Sequence, residues 1–196
     1  LSLYFHTLRH LRAIQFTERL RRRIRKINIH PDSTPPLRQH TGQWDRVNIA
    51  EPRMVAERGF LFLNKPGQLR EAGDWNSDKH EKLWLYNLHY FDDLVAVDAD
   101  RRVEWHKSLV NDWVQDNPAP HGNGWEPYPQ SLRIVNWIKW FLNGQEPVVH
   151  WLQSLTQQAH VLIQDLEYHL LGNHLFANGK ALIFAGLYFD GEQAEK

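Results

Sequence analysis

The sequence predicts an all-α fold of antiparallel helical hairpins, with a short irregular or β segment near residues 59–64. Three observations carry that prediction. Apolar residues recur at spacings of three and four through most of the chain after residue 79. The breaks between those runs are short and marked by Gly or Pro, as at Gly144, Pro147 and Gly172. Only "GFLFLN", residues 59–64, reads as a strand, with a turn after it at Lys65-Pro66-Gly67.

The elements follow in order. Residues 3–27 place Leu8, Leu11, Ile14, Leu20, Ile24 and Ile27 at helical spacing. Arg19, Arg21, Arg22, Arg23, Arg25 and Lys26 fill the rest of that helix, either as a solvated basic face or as a contact for a membrane surface or polyanion. Residues 28–78 form an irregular segment with at most one hairpin, punctuated by Pro31, Pro35, Pro36, Gly42 and Pro52. Helices are then expected over 79–97, over 104–116 and, preceded by Pro129 and Ser131, over a stretch with Leu132, Val135, Ile138 and Leu142 on one stripe. A fourth runs over 148–171 with Leu152, Leu155, Ala159, Leu162, Leu166 and Leu170 on a single apolar stripe, as an outer helix should, and 174–189 is apolar on nearly every side, as an inner helix should be. The chain thus divides into 1–78, a basic helix plus irregular segment, and 79–196, a helical domain. Because the sequence stops just after an inner helix, this domain is expected to be truncated at its C-terminus.

Composition sets bounds. With 196 residues, 42% of them hydrophobic, the chain can bury a sizeable core. Its 23 basic and 23 acidic residues balance, so no global field points to nucleic acid or membrane. There is no cysteine, which excludes disulfides and thiolate chemistry. No signal peptide is visible, and no apolar run is long enough for a membrane span. The compartment, cytoplasmic or periplasmic, stays open.

Three stretches hold residues suited to chemistry. "HGNGWEPYPQSLR", 121–133, cannot be one continuous helix, and it offers Trp125, Glu126, Tyr128 and Arg133. Aromatic faces stack on sugar rings, while charged groups fix hydroxyls or acids; equally, the Trp and Tyr could plug the core. "LYNLHYFDDL", 85–94, offers His89 and Tyr90, as an acid/base pair or as core residues. "LEYHLLGNHLF", 166–176, breaks at Gly172-Asn173, where Gly172 ends one helix and Asn173 is expected to N-cap the next. In that break the Asn173 amide can bind a carboxylate at a helix N-terminus, with His174 as a second donor or a proton-transfer group. Glu167, His169 and His174 match no strong metal spacing, so neither metal nor cofactor is expected.

"LWLYNLHYFDDL", "GWEPYPQSLRIVNWIKWFL" and "LEYHLLGNHLFANGKALIFAGLYF" together resemble the N-terminal part of the heparinase II/III-like family, bacterial polysaccharide lyases and their relatives. The resemblance implies an incomplete (α/α) toroid, followed in the family by a β-sandwich domain. It implies β-elimination in a uronic-acid-containing polysaccharide, with Asn173 matching the residue that neutralises the uronate carboxylate and His174 beside it. The family's catalytic Tyr and its other His lie further along, so the missing toroid helices and sandwich would be partners and this portion alone would be inactive. Two other readings compete. One is a non-catalytic carbohydrate-binding helical module using Trp125, Tyr128 and Arg133. The other is a glycoside hydrolase with Glu126 and Glu167 as its carboxylate pair.

Overall fold

The structure, a computed structural model, describes residues 12–29, 34–39, 42–46 and 48–191. It is mostly helical, with a small three-stranded sheet. Helix α1 spans Ala13–Ile24; Leu8 and Leu11 of the expected longer helix lie outside the described residues.

Residues 28–78 hold more β-structure than the sequence suggests. Strands β1 (Met54–Ala56), β2 (Gly59–Phe62) and β3 (Lys65–Gln68) form an antiparallel meander in the order β1-β2-β3. Only β2 carries the short apolar run that marks a strand, whereas Pro66 and Gly67 in β3 read as a turn. The β2–β3 register pairs Phe62 with Lys65, and the two connecting residues, Leu63 and Asn64, both take positive φ, as the tight mirror-image hairpin turn requires. Phe60 and Phe62 point to the core, and Phe62 meets Trp84 edge-on at 5.2 Å. Gly67 lets Trp84 lie on the sheet, since a Cβ there would sit 2.1 Å from the indole. The indole N–H donates to the Lys65 carbonyl at 2.9 Å.

The remaining helices are α2 (Lys82–Tyr90), α3 (Val103–Asp116), α4 (Pro127–Leu142), α5 (Val149–Gln164) and α6 (Gly172–Tyr188). The helix expected over 79–97 stops at Tyr90, because Phe91 adopts a left-handed conformation and a 3-10 turn follows over Asp92–Val95. There Asp93 is buried and tied down. It accepts the Met54 N–H at 2.9 Å, Arg102 Nε at 2.7 Å and His106 Nε2 at 2.8 Å, so one carboxylate joins β1, the 3-10 turn and α3. The helix expected over 148–171 likewise ends at Gln164. Beyond it Asp165 turns to Arg22 and Arg25, and the Glu167 N–H donates to Asn178 Oδ1 instead of a helical carbonyl.

Residue pairs give the helix directions. Tyr86 meets Glu126, the His89 carbonyl meets Arg133 and the Tyr90 carbonyl meets Asn136, so α2 and α4 run parallel. Tyr128 with His174, Ser131 with Asn178 and Phe141 with Tyr188 make α4 and α6 parallel as well. Arg133 with Gln158 and Trp140 with Trp151 set α5 antiparallel to α4, and His106 with Trp140 and Trp113 with Trp137 do the same for α3. Alternate helices therefore share a direction. α5 buries Trp151, Leu155, Gln158 and Leu162; of the expected stripe only Leu155 and Leu162 are buried, while Leu152 and Ala159 are half-buried and Leu166 and Leu170 lie beyond the end of the helix. α4, expected to carry one stripe, is instead buried on nearly every side, while Leu132 and Leu142 of that stripe are only half-buried. α6 buries Ala177, Ala181 and Ala185 but exposes Phe176, Ile183 and Leu187. One hydrophobic core runs from Met54 to Phe189, across the boundary placed at residue 78.

Gly67→Ala should cost about 1–3 kcal/mol of stability by overpacking Trp84 against the sheet. Urea unfolding of the variant against the parent measures this, and a change below that range would mean that the sheet can shift freely on α2.

Candidate functional site

The loop before α4 is held from below by buried polar groups. Gly124 packs against the His89 ring, where a Cβ would come within 2.7 Å of Nδ1. The Trp125 indole is buried and donates to the Asn117 carbonyl at 3.0 Å. Arg133 is fully buried: Nη2 donates to the Gly124 carbonyl at 2.8 Å, Nε to Gln158 at 2.9 Å and Nη1 to the His89 carbonyl at 3.3 Å. Its guanidinium lies over the Trp113 ring at 3.8 Å, a cation–π contact in a desolvated setting.

His89 completes this node. Indole N–H groups only donate, so Nδ1 must accept from Trp113 Nε1, at 3.0 Å, and Nε2 must carry the proton donated to the Trp75 carbonyl, also at 3.0 Å. Both ring nitrogens are satisfied in the neutral form. Burial, helped by the Arg133 charge, pulls the imidazole from its ordinary 6.5 down to about 3. Trp125, Arg133 and His89, read from the sequence as substrate-binding candidates, are thus placed in the core, and they hold the loop rather than face a ligand.

What the node positions is a second, more open cluster. Lys82, Tyr86 and Tyr90 recur every four residues on one stripe of α2, with His89 buried beside it. Glu126, immediately before α4, accepts the Tyr86 hydroxyl and Lys82 Nζ, the latter at 2.8 Å. The Tyr128 ring lies between Tyr90, edge-on at 6.0 Å, and His174 at 4.5 Å. His174 Nδ1 stands 3.1 Å from Glu167 Oε1, and Asn178 Nδ2 reaches both Glu167 Oε2 at 3.2 Å and Ser131 Oγ at 3.0 Å. Burial first, then the Glu126 hydrogen bond and the Glu167 charge, raise the Tyr86 phenol far above its ordinary range, so it remains a proton donor. Burial, with Tyr128 and Asp92, raises Tyr90 likewise.

Of the predicted residues, Glu126, Tyr128, Tyr90 and His174 come together here, with Asn173 exposed beside His174. The capping expectation for Asn173 does not hold. The N-cap position is Leu171, with positive φ and no side-chain cap bond, and Gly172 opens α6 rather than closing the helix before it. The shift arises because the preceding segment left the helix at Asp165, seven residues early. Tyr86, Lys82, Asn178 and Ser131 were missed as members of the cluster. The signal was there for two of them: Tyr86 is four residues from Tyr90, and Asn178 four from His174. Among the described residues no group of three or more His, Asp or Glu is placed to hold a metal ion. No described helix is long and apolar enough to cross a membrane. Comparison of the chain with family models, with curated proteins and with solved structures finds no match.

The buried imidazole predicts a pH dependence of stability. Between 6.5 and about 3 the unfolded chain binds a proton at His89 that the native state does not. Stability is therefore fully present above 6.5 and falls as pH drops toward 3, by up to about 1.4 kcal/mol per pH unit. Urea unfolding across that range should show the slope, and His89→Gln, whose amide can still accept from Trp113 and donate to Trp75, should flatten it. A separate test addresses the guanidinium: Arg133→Ala should lose about 3–5 kcal/mol, since it strands three buried oxygens. A loss below about 1 kcal/mol would show that water replaces it.

Proposed function

We propose that this chain belongs to the helical part of a polysaccharide lyase that cleaves uronic-acid-containing polysaccharide by β-elimination, in an (α/α) toroid whose parallel helices α2, α4 and α6 form the inner layer. One observation carries the reading. The three stretches on which the family resemblance rests, far apart in sequence, meet in the cluster of Tyr86, Tyr90, Glu126, Tyr128, Glu167 and His174. The alternation of helix directions supports the toroid.

In β-elimination a base takes the proton at C5, a neutraliser offsets the adjacent carboxylate, and an acid protonates the leaving oxygen. Glu167 as a carboxylate only accepts, so it holds the proton of His174 on Nδ1 and leaves Nε2 as the accepting nitrogen. We assign His174 to proton transfer, with Glu167 as its positioning residue. Asn173, exposed in the uncapped first turn of α6, brings its amide and the positive end of the helix to the uronate carboxylate. Tyr128, its ring against His174, is the aromatic neighbour that flanks the proton-transfer group.

The carbohydrate-binding module is less well supported, because two of its three residues, Trp125 and Arg133, are buried. A glycosidase pair is disfavoured too: Glu126 is engaged by Tyr86 and Lys82, and Glu167 by His174 and Asn178.

The test is lyase turnover of the complete gene product on polyuronates, followed by the ultraviolet absorbance of the new C4–C5 double bond. Asn173→Asp should lower turnover roughly 100- to 1,000-fold by repelling the carboxylate, and it should leave stability unchanged because Asn173 caps nothing. Glu167→Gln should shift the pH profile rather than abolish turnover. Near-normal activity in Asn173→Asp would remove Asn173 from the neutralising role.

A further inference from the structure

Helix α1 is mounted inside out. Its least exposed residues are Gln15, Glu18, Arg22 and Arg25, which share one face by their spacing of three, four and three. That polar face meets the body of the protein. Arg22 pairs with Asp165 at 2.9 Å and contacts His169, Arg25 pairs with the same Asp165, and Gln15 Nε2 donates to the His169 carbonyl at 3.2 Å. The opposite face carries Phe16, Leu20 and Ile24, four residues apart, and they are 44%, 64% and 77% exposed. No residue of α1 is buried. A helix that packs on a core does the reverse, so the outward stripe has no structural duty in the described fold.

The charges around the stripe say what it suits. Arg19 and Arg23 flank it on one side and Arg21 on the other, all exposed, and the single acidic residue between positions 12 and 29 is Glu18 on the inward face. We propose that α1 docks this protein onto an anionic lipid surface, Phe16, Leu20 and Ile24 entering the boundary of the acyl chains while the flanking arginines pair with lipid phosphates. Low overall hydrophobicity, an arginine-rich border and a narrow apolar stripe are what an in-plane interfacial helix needs. A soluble polyanion would use the arginines but has no use for three apolar side chains between them. The exposed apolar face of α6, with Phe176, Ile183 and Leu187, lacks such a border, since that helix holds no arginine and a single lysine, Lys180. The inference is independent of the lyase reading.

The test is co-sedimentation of the protein with vesicles of phosphatidylcholine and phosphatidylglycerol in equal parts, against phosphatidylcholine alone. The protein should be retained on the anionic vesicles, and less so as salt rises. Arg19→Gln, Arg21→Gln and Arg23→Gln should each weaken retention roughly five-fold. Leu20→Asp with Ile24→Asp should abolish it, while Ile183→Asp, on the other exposed apolar face, should leave it unchanged; all of these side chains are exposed, so folding is not at stake. Absence of retention on the anionic vesicles overturns the proposal. So does retention that survives Leu20→Asp with Ile24→Asp, or that Ile183→Asp removes equally. Arginine-dependent binding of soluble polyuronate that ignores Leu20→Asp would make this a polyanion surface and overturn it as well.

Discussion

A guanidinium buried without a carboxylate is the constraint on which the helical body turns. Arg133 bonds oxygens from α2, the loop before α4, and α5, and covers the face of a tryptophan from α3. Desolvating a charge is expensive, so the surrounding dipoles must all be in place together. His89 contributes by staying neutral, and Gly124 by having no side chain where the imidazole lies. The loop has little freedom left. Glu126 and Tyr128, at the start of α4, inherit their positions from this buried arrangement.

Helix α2 divides its labour between two faces. Leu85, Leu88 and His89 go into the core, whereas Lys82, Tyr86 and Tyr90 look onto the open cluster. On α6, by contrast, His174, Asn178, Ala181 and Ala185 follow one another at spacings of four, three and four on a single face, His174 near the start of the helix and the alanines buried further along. Asn178 bridges the two worlds: it is buried, satisfies the Glu167 backbone and carboxylate, and reaches Ser131 of α4. The orientation of His174 thus depends on how α6 seats against α4.

Two buried acids organise the periphery by the same logic. Asp93 gathers β1 and α3, and Asp165 gathers α1. Each sits just past the end of a helix that periodicity would have continued, and each offers its carboxylate there to other elements, Asp93 to β1 and α3 and Asp165 to α1. Local propensity loses there to a tertiary partner.

The sequence by itself determined the helical class, the existence of α2 to α6 and the breaks around Gly144 and Gly172. Apolar spacing reports which faces need burial, and that information is local. It also marked the three stretches that meet at the cluster, because their Tyr, His, Glu and Asn residues interrupt otherwise apolar runs. Only the tertiary structure decided which of those residues meet. Arg133, offered by the sequence as a substrate contact, is buried together with Gln130, Gln158 and Asn136, because partners distant in sequence meet them there. Pattern reasoning likewise reads α1 as apolar side in, whereas Asp165 and His169 turn the helix over. A polar side chain is placed by where its hydrogen-bond partners arrive, and spacing along one helix holds no record of that.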